Sequence, residues 1–165
     1  EKLNKIVPET LCNFNDNCIV KVKHQCGEKH FSNTQKTYRN YNIPAEVFPF
    51  IEDIVSAYMW ADIVICRAGA STISELAACG IASVLIPFPF AVDNHQVKNA
   101  ECLVHNGAAV LVKEDQLNTN RLKQILLDFF NTPDLLVQMA KKAKNLSKSD
   151  ATDNVAKLCV EASYV

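Results

Sequence analysis

What this 165-residue chain lacks closes off several classes of function before any motif is read. Charge of one sign is missing: 17 basic residues stand against 18 acidic ones, so no broad positive field is available for a nucleic acid backbone. Long apolar runs are missing too; none approaches the roughly 20 residues of a membrane-spanning helix. The opening EKLNKIVPETL has neither the apolar core nor the cleavage site of a secretory signal. It also begins without Met, as expected of a fragment or a processed product. The seven cysteines (Cys12, Cys18, Cys26, Cys66, Cys79, Cys102 and Cys159) are odd in number and scattered, which is no disulfide framework. They read as small hydrophobes in a reducing cytoplasm. No paired zinc motif is present: the C-x5-H-x-C-x3-H spacing of Cys18, His24, Cys26 and His30 matches none of the usual sets. There is no D-x-D metal pair, no internal repeat, no low-complexity tract and no linker.

What is present is an ordinary globular composition, 48% apolar and 21% charged, in one domain long enough to bury a core. The pattern alternates. An amphipathic stretch over residues 2–13 reads as a helix that is short, kinked or begins near Pro8. CIVKVKHQCG reads as a strand ended by Gly27. Residues 28–42 are polar, with at most a short helix over 34–41. AEVFPFI is a strand broken at Pro49, and residues 52–60 carry apolar side chains at helical spacing. ADIVIC and ASVLIPF are short buried-type strands on either side of the turn RAGAST and the helix ISELAACG. A helix over residues 94–105 is closed by Asn106-Gly107, and the strand AAVLV follows. Three more helices are expected over 121–130, 133–146 and 153–163. Strands alternating with helices predict an α/β fold, a parallel sheet with helices on both faces. Such a nucleotide-binding sheet usually opens with a strand and a glycine-rich turn. This chain opens directly in a helix.

Two turns at the carboxyl ends of strands carry the candidate chemistry, since open α/β sheets hold ligands there. In the first, Thr72-Ile73-Ser74-Glu75 fits the S/T-x-x-E capping box, which would account for both polar residues without a ligand. The same helix start, reached through Ala68, Gly69 and Ala70, also suits a phosphate, with Glu75 one turn in as an acceptor for vicinal hydroxyls. Both readings stand at this level. In the second, Asp93 and Gln96 form another capping pattern, while Asp93-Asn94-His95-Gln96 together offer donors and acceptors to a sugar. Glu52 and Asp53, adjacent at a helix start, point different ways and read as favourable first-turn charges rather than a glycosidase pair.

The stretches FIEDIVSAYMWADIVICRAGASTISELAACG and PFPFAVDNHQVKNAECLVHNGAA, with HQCG and KLNKIVPETL before them, resemble the C-terminal domain of the MurG family. These are the UDP-N-acetylglucosamine:undecaprenyl-pyrophosphoryl-muramyl-pentapeptide N-acetylglucosaminyltransferases. The likeness covers essentially the whole chain, and R-x-G-A-x-T-x-x-E with D-N-H-Q-x-x-N-A is specific in combination. It implies the C-terminal, Rossmann-like half of a GT-B glycosyltransferase, without its first strand and its GGSQGA loop. Residues 1–165 would be a partial UDP-N-acetylglucosamine-binding domain. The implied donor contacts are the backbone at Ile51 to the uracil edge, Ala70, Ser71, Thr72, Ile73, Ser74 and Glu75 around the nucleotide, with Glu75 on the ribose, and Gln96, beside His95, on the sugar. No catalytic residue is assigned in this half. The implied reaction, which calls for no metal or other cofactor, is inverting transfer to lipid I to give lipid II in peptidoglycan synthesis. The lipid I acceptor and the cytoplasmic face of the bacterial inner membrane would be met by the other half. A separate small subunit of a dolichol-linked N-acetylglucosamine transferase, and a non-catalytic sugar-nucleotide-binding module, remain open beside this reading.

Overall fold

The computed structural model describes residues 1–14, 20–91 and 94–147. The expected helix over 153–163, Asp93, Cys18 and Cys159 lie outside the described residues. The order is α1 (Lys2–Leu11), β1 (Val22–Gln25), a 3-10 turn (Glu28–His30), α2 (Phe31–Asn40), β2 (Ala45–Phe48), α3 (Ile54–Trp60), β3 (Val64–Cys66), α4 (Ala70–Cys79), β4 (Ser83–Leu85), α5 (His95–His105), β5 (Ala109–Leu111), α6 (Thr119–Asn131) and α7 (Pro133–Asn145). Every strand pair is parallel: β1 with β2, and β3 with β4 with β5. The α/β class with helices on both faces is the architecture observed.

The two faces follow from the period-2 alternation of β4. Leu85 turns to one side, into a cluster with Ile73, Leu76 and Ala77 of α4 and Ala100 and Leu103 of α5. Val84, with Ala82 and Ile86 beside the strand, turns to the other, against Leu122, Ile125, Leu126 and Phe129 of α6. Leu3, Ile6, Val7 and Leu11 place α1 on that second face. β4 is therefore buried on both sides, which is why ASVLIPF is apolar apart from Ser83.

Three local expectations change. Helix α1 runs through Pro8, which is buried inside it, rather than starting there. The polar stretch after Gly27 holds a full ten-residue helix, α2, anchored by only Thr34 and Tyr38 on its buried side. Helix α4 begins at Ala70, with Gly69 as its cap residue, so Thr72 and Glu75 lie within it and form no capping box. The register of the core decides this: Ile73, Leu76 and Ala77 must face the sheet, and that spacing fixes where the first turn falls.

The five strands form a two-stranded and a three-stranded sheet. Among the described residues, β1 pairs only with β2 and β3 only with β4, so each leaves one edge open. Both edges line the same trough of about 500 Å³, with Val22, His24 and Gln25 on one wall, Val64, Cys66 and Arg67 on the other, and Leu3, Val7 and Leu11 of α1 along it. A further cavity of about 730 Å³ between Lys21, Asp62 and Phe130 adjoins its lower end. β1 and β3 face each other across the trough without pairing.

Candidate functional site

The carboxyl ends of β1, β2 and β3 meet at the upper end of the trough, where Gln25, Ile51, Tyr58, Arg67 and Thr72 share its lining. Ile51 follows β2, and the chain then enters α3 under a strong local signal. Asp53 caps that helix, accepting from the Ser56 amide at 3.0 Å and from the Ser56 hydroxyl at 2.6 Å. Those hydrogen bonds, the side-chain one foremost, hold the Asp53 carboxyl below its usual range. The cap fixes the backbone just after Ile51. Its N–H is not free: Gln25 Oε1 accepts from it at 2.8 Å.

Helix α4 starts differently. Its N-cap Gly69 makes no side-chain cap, and the first intrahelical bond runs from Ile73 N–H to Gly69 O at 2.9 Å. The amides of Ala70, Ser71 and Thr72 thus have no partner within the helix and sit at its positive end. Gly69 has φ of −65°, and a Cβ there would meet Thr72 Oγ1 at an ordinary 3.5 Å. Neither conformation nor packing inside the chain demands glycine at this turn. Ile73 separates from its neighbours: its N–H is used, and its side chain is buried in the core, where it supplies register. Ser74 is turned outward and bonds back to Ala70 O at 3.1 Å.

Glu75 lies about a turn and a half along α4, and its Oε2 accepts from the Tyr58 hydroxyl at 3.0 Å. Tyr58 is only 7% exposed. Burial above all, and then the hydrogen bond to Glu75, push its phenol well above the usual value, so it stays a donor. Burial, helped by Glu75, also pushes the Cys66 thiol up to about 12, which makes it an inert packing group.

Arg67, the first residue of the motif, turns across the sheet ends. It pairs with Glu114 after β5, donates to the carbonyls of Ile86 at 3.3 Å and Pro87 at 3.2 Å, and lies over the Phe88 ring. One guanidinium thereby ties the ends of β3, β4 and β5 together. The second motif is equally structural in part. Asn99 donates to Ala68 O at 3.2 Å, bracing the turn into α4 from α5. Gln96 Oε1 accepts from Phe88 N–H at 2.9 Å, so its carbonyl half steadies the loop after β4 and only its NH2 half is left for a ligand. His95 is exposed at the first position of α5, after Asn94 at φ of 54°. Gln96 is not among the residues lining the trough, and the Asn99–Ala68 brace links the two motifs.

His24 is accounted for without a metal. Asn4 uses its NH2 on Cys26 O at 2.9 Å, so its oxygen accepts from His24 Nε2 at 3.1 Å, and His24 Nδ1 accepts from the Tyr38 hydroxyl at 2.8 Å. Among the described residues no group of three His, Cys, Asp or Glu side chains is placed to hold a metal ion.

Gln25, Tyr58 and the bracing roles of Arg67 and Asn99 were beyond sequence reasoning, because each partner lies 17 to 31 residues away or more. In the sequence Arg67 and Asn99 are motif positions with no evident role, and Tyr58 reads only as an apolar helix position.

The family model of the glycosyltransferase family 28 C-terminal domain matches residues 1–155. Two curated relatives carry the name UDP-N-acetylglucosamine--N-acetylmuramyl-(pentapeptide) pyrophosphoryl-undecaprenol N-acetylglucosamine transferase. The one from Pseudomonas savastanoi pv. phaseolicola is 43% identical over 99% of this chain and 46% of its own length. The one from Xylella fastidiosa is 44% identical over 98% and 44%. This chain therefore spans less than half the length of those relatives. Among solved structures, MurG of Acinetobacter baumannii superimposes with a TM-score of 0.87 at 38% identity, over 95% of this chain and 45% of that one. The glycosyltransferase VinC, solved in complex with DTDP, gives 0.70 at 16% identity, over 99% and 40%, and shares the fold.

Proposed function

We propose, from the premise that this chain belongs to the glycosyltransferase family 28 C-terminal domain family, that it is the donor-binding half of an N-acetylglucosaminyltransferase. Its reaction is inverting transfer of N-acetylglucosamine from UDP to the 4-hydroxyl of the muramyl residue of lipid I, giving lipid II. One observation carries the reading: 43% identity along 99% of the chain to a transferase whose name specifies that acceptor and that sugar, with both strand-end motifs inside the match.

The residues suit the parts this role requires. The unpartnered amides of Ala70, Ser71 and Thr72, at the positive end of α4, suit the donor diphosphate. As an acceptor hydroxyl attacks the anomeric carbon, the bond to UDP breaks and negative charge grows on the leaving diphosphate. A fixed helix end stabilises that charge more than the ground state. Glu75 takes the two ribose hydroxyls. The backbone at Ile51 meets the uracil edge, and Gln25 Oε1, already on the Ile51 N–H, holds the place a base carbonyl would take. Gln96 offers its NH2 to the sugar. The acceptor site, the base that takes the hydroxyl proton and the contact with the cytoplasmic face of the inner membrane we place in the remainder of the enzyme.

The test is transfer of labelled N-acetylglucosamine from UDP-N-acetylglucosamine to a lipid I analogue by the full-length protein. Formation of the disaccharide product with inversion at the anomeric carbon is expected. Tight UDP binding with no transfer to that acceptor would assign the chain to a binding module instead.

A further inference from the structure

A buried tyrosine stands directly behind the carboxylate proposed to hold the ribose. Tyr58 is 7% exposed and packs in the core cluster with Ile73, Leu76 and Ala77 of α4. Its ring is thus fixed against the same helix that carries Glu75. Its hydroxyl reaches Glu75 Oε2 at 3.0 Å. A carboxylate on a half-exposed helix face rotates about its last torsion, which has a broad, two-fold profile. A bond from a fixed donor to one oxygen selects one plane for the group and leaves the second oxygen, with the free lone pairs of the first, for a ligand. Helix α3 has a second tie to the site, because it begins just beyond Ile51 and its start is locked by the Asp53 cap. One short rigid helix therefore connects the position proposed for the base to the group proposed for the ribose.

We infer that Tyr58 is a positioning residue: through its hydrogen bond it orients the Glu75 carboxylate for a vicinal diol, and so sets the preference for a ribonucleotide donor over its 2′-deoxy counterpart. This rests on the proposed donor site. It adds a residue whose role is to aim a contact rather than to make one, and it assigns the sugar selectivity of the site to a two-residue unit.

The measurement is calorimetric binding of UDP and of 2′-deoxy-UDP to the full-length protein, in the wild type, Tyr58→Phe, Glu75→Gln and the double variant, with melting temperatures for each. Tyr58→Phe keeps the ring and its packing and removes only the hydroxyl. It is expected to weaken UDP binding about three- to tenfold, with less effect on 2′-deoxy-UDP and a melting temperature close to wild type. Glu75→Gln is expected to weaken UDP binding more, about tenfold or beyond. The double variant should bind no worse than Glu75→Gln alone, since a donor with nothing to aim has no effect. If Glu75→Gln weakens UDP and Tyr58→Phe leaves both affinities and their ratio unchanged, the positioning role is overturned while the ribose contact stands. If Tyr58→Phe weakens both nucleotides equally and lowers the melting temperature, Tyr58 is structural and the inference also fails. If Glu75→Gln itself leaves UDP binding unchanged, the ribose contact is wrong, and the inference falls with it.

Discussion

The two sheets solve the same problem in opposite ways. In the three-stranded sheet every residue of β4 is buried, helices cover both faces, and Arg67 with Glu114 fastens the strand ends. In the two-stranded sheet no residue of β1 or β2 is fully buried. There the strands are held by a polar chain, Tyr38–His24–Asn4–Cys26, that joins α2, β1 and α1. Their upper ends differ in the same sense. The three-stranded side leaves the first amides of α4 open, whereas the two-stranded side closes its own Ile51 amide with Gln25. Hydrophobic burial carries one unit and directed hydrogen bonds carry the other. The candidate site lies where they meet.

The largest effect should come from breaking the apolar unit. Leu85 is fully buried in the α4–α5 cluster, and Leu85→Ala is expected to cost about 2–5 kcal/mol by removing buried methyls and leaving a cavity. Chemical denaturation would measure it, and a loss below about 1 kcal/mol would refute the contrast between the two sheets.

The polar unit should respond to acid. Burial above all lowers the His24 pKa from 6.5 to about 4. The unfolded chain therefore takes up a proton near pH 6.5 that the folded one resists. Stability from this group is complete above about 6.5 and declines as pH falls toward 4, by an expected 1–2 kcal/mol or so once solvent screening is allowed for. Protonation also removes the acceptor that Nδ1 offers to Tyr38. Amide exchange should show β1 and β2 losing protection over that interval before β4 does; equal loss throughout would remove the distinction.

The smallest effect sharpens the comparison at the site. Gln25→Ala uncovers the Ile51 N–H, and UDP binding is expected to tighten by about 0.5–1.5 kcal/mol, the net worth of the competing hydrogen bond. A weaker affinity would instead make Gln25 a direct contact to the nucleotide.

The α/β alternation was legible because β3, β4 and β5 are short apolar runs between amphipathic segments, and periodicity is a local property. Helix α2 was half legible, since only Thr34 and Tyr38 mark its buried side in an otherwise polar run. The start of α4 misled. Thr72 and Glu75 have the spacing of a cap, but Gly69 takes that place and Glu75 finds its partner on α3. The residue types of the site could be read from the sequence. Which of them are already satisfied by Gln25, Tyr58 or Phe88 could not, because those pairings form only when distant segments pack.

The trough between β1 and β3 also bears on how this polypeptide behaves in company. Among the described residues, two rows of backbone donors and acceptors face one channel, and such free edges are a template for an extended segment. Lys21 and Lys23 stand on that rim, the latter with its ammonium 4.8 Å from the centre of the Trp60 ring. Their charges are the sort that discourage sheet-to-sheet adhesion. In the 165-residue chain, neutralising both should raise the tendency to form strand-exchanged aggregates on concentration, measured by light scattering against the unaltered chain.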